Sequence, residues 1–95
     1  WSIQRQLDLH GLRVDEARLA LGEFIRTAHK NGVRCVRVVH GKGLGSPGKS
    51  PVLKSRVQRW LVQKHEVLAF VQARPVDGGA GAMLVLLQPV GLRQR

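Results

Sequence analysis

Strand-like and helical hydrophobic patterns alternate twice along this chain before it ends in two further apolar runs. That alternation restricts a single short domain to a sheet covered by helices. Residues 3–10, IQRQLDLH, alternate: Ile3, Leu7 and Leu9 share one face, and Gln4, Gln6, Asp8 and His10 share the other. This predicts a strand buried on one side. Gly11 breaks it. Over residues 14–30, Val14, Ala17, Leu21, Phe24, Ile25 and Ala28 recur at helical spacing. Asp15 and Glu16 fall in the first turn, where the helix dipole favours anions, and Asn31-Gly32 is a C-terminal cap signal.

The cycle then repeats. VRCVRVVH, residues 33–40, is rich in β-branched residues and apolar on both parities, as an interior strand would be. GKGLGSPGKS, residues 41–50, is a loop with four glycines and a proline. Ser50-Pro51 is an N-cap followed by proline at the first helical position, and Leu53, Val57, Trp60 and Leu61 continue a helix to about residue 63. EVLAFVQAR (66–74) predicts a third strand, PVDGGAG a turn, and AMLVLLQ (82–88) a fourth strand. The order βαβαββ predicts an α/β (α+β) two-layer sandwich, with a mixed four-stranded sheet and two helices on one face.

Ninety-five residues suffice for one core, so residues 1–95 are read as a single domain, with a motif-bearing core at about 7–88 and a basic tail at 89–95. Trp1 in place of an initiating Met is expected of an excised fragment. Lys and Arg outnumber Asp and Glu 16 to 6, for a net charge of +10. Such an excess points to a polyanionic partner, most simply nucleic acid. No stretch approaches the roughly 18 apolar residues of a membrane span, so a membrane role is not expected. Cys35 is the only cysteine, which excludes a disulfide within the chain and favours an intracellular, cytoplasmic setting.

Parallel neighbours place their C-terminal ends at one edge. His10-Gly11 ends the first strand and His40-Gly41 the second, so the two imidazoles are expected close together where open α/β sheets bind ligands. Asp8 points to the same side as His10. Gly11 and Gly41 would let backbone approach a ligand. The start of the second helix is a ready phosphate site, with Lys42, Lys49 and Lys54 nearby. If the third strand is also parallel, Arg74, Asp77, Gly78 and Gly79 reach the same edge. Two imidazoles, a carboxylate and several cations suit phosphodiester cleavage.

Three blocks, LDLHGLRVDEA, VVHGKGLGSPGKSPVLKSRVQRWL and DGGAGAMLVLL, in this order resemble the Smr (small MutS-related) domain over nearly the whole chain. The resemblance implies a βαβαββ sandwich similar to the C-terminal domain of translation initiation factor three. It also implies nucleic-acid binding and, in many members, endonuclease activity. Some members nick DNA in repair or recombination; others cut RNA, including messenger RNA on stalled or collided ribosomes. The family's Asp-Leu-His block falls on Asp8, Leu9 and His10, and its His-Gly-x-Gly block on His40, Gly41, Lys42 and Gly43; both are intact. The chain looks most like a stand-alone bacterial Smr protein.

The expectation is therefore an endonuclease that uses Asp8, His10 and His40 for catalysis, Asp8 orienting His10 and either histidine serving as base or acid. Nucleic acid would be held by Gly11, Arg13, Gly41, Lys42, Gly43, Lys49, Lys54, Arg74, Gly78 and Gly79. DNA nicking is the first choice, RNA cleavage at ribosomes the alternative, and a docking module without chemistry the third reading. No tightly bound metal is expected from so few carboxylates, and a loosely held Mg²⁺ or Mn²⁺ stays open. Trp60, Met83, Phe24 and Phe70 are assigned to the core, Cys35 to a buried small hydrophobe, and His29 and His65 to the surface. Arg18, Arg26, Arg34, Arg37, Arg56 and Arg59 are read as scattered charge, some of it tracking a nucleic-acid backbone.

Overall fold

The computed structural model describes residues 2–41 and 52–90. The elements run β1 (Arg5–Asp8), α1 (Val14–Lys30), β2 (Cys35–Val39), α2 (Val52–Val62), β3 (Val67–Gln72) and β4 (Ala82–Leu87). Two short 3₁₀ turns, Pro75–Asp77 and Gly79–Gly81, fill the link between the last two strands. The sheet order is β1-β2-β4-β3. β1 is parallel to β2, and β4 is antiparallel to both β2 and β3. β3 therefore runs parallel to β1 and β2, and three carboxyl ends share one edge.

The sequence explains α1 closely. Arg13 donates its backbone N–H to the Glu16 carboxylate at 3.1 Å, which satisfies one of the amides left over at a helix start. At the far end Gly32 takes φ of 76°, and Val33 N–H reaches back to Ala28 O at 3.0 Å. Ala17, Leu21, Ile25 and Ala28 are buried along one stripe. They meet Val57, Trp60 and Leu61 of α2 and Leu9, Val36, Val38, Met83, Val85 and Leu87 of the sheet. Both helices thus cover one face, and a fully buried leucine in this layer gains about 2 kcal/mol over an exposed one. Phe24 and Phe70 pack on the core while half-buried.

The other face carries Cys35, Arg37 and Val39 of β2, Leu84 and Leu86 of β4, and Ala69 and Val71 of β3, read from the strand register. A groove of about 620 Å³ lies over it, lined among others by Ile3, Cys35, Val71, Leu84 and Leu86. Cys35 is fully buried, on this face rather than in the helix-covered core.

Strand ends differ from the sequence reading. β1 stops at Asp8 rather than His10, because the His10 N–H bonds the Asp8 carboxylate instead of β2. β2 begins at Cys35 rather than 33, because Val33 still belongs to the α1 cap. A register shift between Val67 and Ala69 breaks β3, which lies at the sheet edge. Helix start signals at Ser50-Pro51 lie outside the described residues. Among the described residues no helix is long and apolar enough to cross a membrane.

Candidate functional site

Asp8 is the last residue of β1 and faces the open side of the sheet. Its Oδ1 accepts two hydrogen bonds from one residue: His10 N–H at 3.0 Å and the His10 ring Nδ1 at 2.7 Å. A carboxylate only accepts, so Nδ1 carries the proton and Nε2 is left for other partners. The side chains remain 68% and 48% exposed, so the ring is open to a substrate. The side-chain bond from His10, then the backbone bond, hold the Asp8 carboxyl below its usual 3.8.

His40 follows β2 and is anchored differently. Its N–H and that of Gly41 both donate to Gly81 O, at 2.9 and 3.0 Å. Its ring is buried, with 4% of its surface exposed. Nδ1 lies 2.8 Å from Gly41 O, so Nδ1 is the protonated nitrogen here also. Nε2 is buried and has no hydrogen-bond partner among the described residues. Burial lowers the His40 pKa below 6.5, the Gly41 carbonyl opposes this, and the Lys54 cation lowers it further. His40 is therefore neutral at pH 7, with a bare lone pair on Nε2.

The two histidine blocks meet at Gly41. Its φ is 89°, and a Cβ built there would stand 3.2 Å from His10 Cβ. The topology thus brings His10 and His40 to one edge, as expected. The two rings differ in setting: one is in solvent and the other inside.

Gly11, with φ of 84°, follows His10 in open space, and Arg13 is exposed at the start of α1 beside Asp15. Lys54 of α2 donates to Gln72 Oε1 at 3.3 Å. Arg74 leaves β3 at the same edge and is exposed, with Nε 3.0 Å from Asp77 Oδ2. Gly78, at φ of 118°, packs so closely that a Cβ would sit 2.8 Å from that of Ala82. Gly79 N–H bonds Arg74 O at 2.9 Å. Lys42, Gly43 and Lys49 lie outside the described residues. Among the described residues no three His, Cys, Asp or Glu side chains gather as a metal-binding group.

Sequence reasoning missed two participants. Gly81 supplies the carbonyl that clamps His40 and Gly41, and a backbone acceptor leaves no side-chain signal. Arg37, grouped with scattered charge, joins β1 to the β3–β4 link. Its signal was a cation inside an apolar strand.

The Smr domain family model matches residues 7–88. Relatives named ribosome rescue factor SmrB from Aliivibrio fischeri and Vibrio vulnificus are 44% and 46% identical over 81 residues, 85% of this chain. The chain spans less than half the length of these curated relatives, 42% and 43%. The Smr domain of Thermus thermophilus MutS2 superposes with a TM-score of 0.80 at 32% identity, covering 90% of this chain and all of that one. YdaL, a stand-alone small MutS-related protein from Escherichia coli, gives 0.82 at 34% identity, covering 90% of this chain and 68% of that one. With the family model spanning residues 7–88 and the fold superposing on a solved Smr domain over 90% of its length, the chain belongs to the Smr domain family.

Proposed function

We propose that this domain is an RNA endonuclease acting at ribosomes, using the ribose 2′-hydroxyl as nucleophile. The observation that carries it is the pairing of a solvent-facing, carboxylate-held His10 with a neutral His40 across Gly41. RNA binding uncovers the buried His40 Nε2, which takes the 2′-hydroxyl proton. The 2′-oxygen bonds to phosphorus, the bond from phosphorus to the 5′-oxygen breaks, and that oxygen takes a proton from His10 Nε2. The products are a 2′,3′-cyclic phosphate and a 5′-hydroxyl. The Asp8 carboxylate fixes the orientation of the His10 ring through Nδ1. Arg74 and Lys54 supply cations to the phosphate. RNA displaces DNA as the first reading because the SmrB relatives carry the name ribosome rescue factor. A ribose hydroxyl also supplies a nucleophile without a metal-bound water, so Mg²⁺ or Mn²⁺ is not required in this scheme.

The test offers the domain supercoiled plasmid and a structured RNA, each with and without EDTA. RNA cut equally in EDTA, with cyclic phosphate ends, is the expected result. A nicked plasmid with intact RNA would restore the DNA reading, and binding of both without cleavage would make the domain a docking module.

A further inference from the structure

Arg37 lies mid-strand on β2, on the sheet face that no helix covers, and is only half-buried. Its guanidinium spans two elements. Nε donates to Gln6 Oε1 of β1 at 2.8 Å, and Nη2 donates to the same oxygen. Nη1 donates to the Asp77 carbonyl at 2.9 Å, in the first turn after β3. Asp77 also receives Arg74, through its carboxylate. The same link ends at Gly81, whose carbonyl holds His40 and Gly41, and Gly41 abuts His10.

We propose that Arg37 is a positioning residue for the catalytic edge: by pinning Asp77 to the open sheet face it sets Arg74 on one side and the Gly81 clamp on the other. The inference rests on reading that edge as the nuclease site. A planar fork reaches two acceptors on different elements at fixed separation, which an ammonium cannot do. The helix-covered core lies on the opposite face, so the fold itself does not depend on this brace.

The test compares Arg37→Met, Arg37→Lys, Arg74→Met and the Arg37→Met/Arg74→Met pair on a structured RNA, alongside thermal melting. Gln6→Met, at an exposed edge-strand position, serves as the mild variant should Arg37→Met fold poorly. Arg37→Met is expected to lower kcat about tenfold, the scale of a sub-ångström misplacement, with melting little changed. Arg37→Lys should behave like Arg37→Met, because charge without the fork does not brace. KM of the double variant should match that of Arg74→Met, since Arg37 acts on phosphate through Arg74. Wild-type kinetics in Arg37→Lys, or additive KM effects, would overturn the proposal in favour of a direct phosphate contact. Amide hydrogen exchange at His40 and Gly41 gives a readout independent of activity. It should accelerate in Arg37→Met, and to a lesser degree in Gln6→Met; unchanged exchange refutes the brace even if the domain cuts no RNA. A wild-type domain that leaves RNA intact while exchange does accelerate would instead sink the nuclease reading alone.

Discussion

Gly41→Ala separates backbone strain from catalytic geometry. At φ of 89° an alanine is strained by about 1–2 kcal/mol. Gly32, at φ of 76° beyond α1, carries the same backbone penalty with nothing within 4 Å of a built Cβ. Both variants should therefore lose about 4–16 °C of Tm, at about 4–8 °C per kcal/mol for a domain this small. They should part company in activity. At Gly41 the new methyl meets His10 Cβ at 3.2 Å, and a few tenths of an ångström must be given up. The Gly41 backbone is pinned by Gly81 O, while His10 is held by Asp8 alone among the hydrogen bonds described, so His10 moves. A displacement of that size costs about tenfold in rate, against about 10²-fold for a full ångström. Circular dichroism melts and single-turnover cleavage of labelled RNA, run well below both midpoints, measure the two quantities. If Gly41→Ala and Gly32→Ala melt alike and both cut at the wild-type rate, the contact between the two histidine blocks has no catalytic meaning.

His10→Ala should abolish cleavage while RNA affinity, by fluorescence anisotropy, stays nearly unchanged; lost affinity with retained turnover would reverse the roles. The depressed pKa of His40 means the unfolded chain binds its proton first, so acidification from pH 7 through 6.5 and below should lower Tm, and His40→Asn should remove that component. Asp8 acts in the same direction in a lower pH window. Its stabilisation is complete above 3.8 and is lost only as pH falls through its lower folded value, so Asp8→Asn should flatten the Tm profile only below pH 4 while slowing turnover throughout. Leu21→Ala empties a fully buried position and should cost about 2–5 kcal/mol in urea denaturation.

Local signals carried the parts of the fold that local chemistry decides. α1 spans the expected 14–30 because its apolar spacing, first-turn acids and Gly32 all act within a turn of where they stand. The sheet order was less legible, yet β4 held a clue. AMLVLL is apolar on both parities, and β4 lies between β2 and β3 with Met83, Val85 and Leu87 in the helix-covered core and Leu84 and Leu86 on the other face. β3 looks equally apolar but is an edge strand whose Leu68 and Val71 are exposed, and its irregularity near Val67 scrambles the alternation. The early end of β1 was hidden because Asp8 competes for an amide that the pattern assigns to the ladder.

The unequal histidines follow from parity. His40 lies two residues beyond Val38, which faces the helices, so the chain carries its ring inward. His10 lies two beyond Asp8, paired with Val39 on the open face, so its ring stays in solvent. An edge where two parallel strands end on opposite parities places one imidazole in a low-dielectric pocket near Lys54 and gives the other a carboxylate. Desolvation keeps the inner ring an acceptor, and the carboxylate fixes the outer ring through Nδ1. Two identical side chains thereby occupy different environments at one edge, one a desolvated acceptor and one held by a carboxylate. Removing one of these environments separates the two roles. Asp8→Leu removes the outer carboxylate and leaves the surroundings of His40 untouched, so turnover should fall while the limb of the pH–rate profile set by His40 stays in place. A displaced His40 limb in Asp8→Leu would show that the two blocks do not act independently.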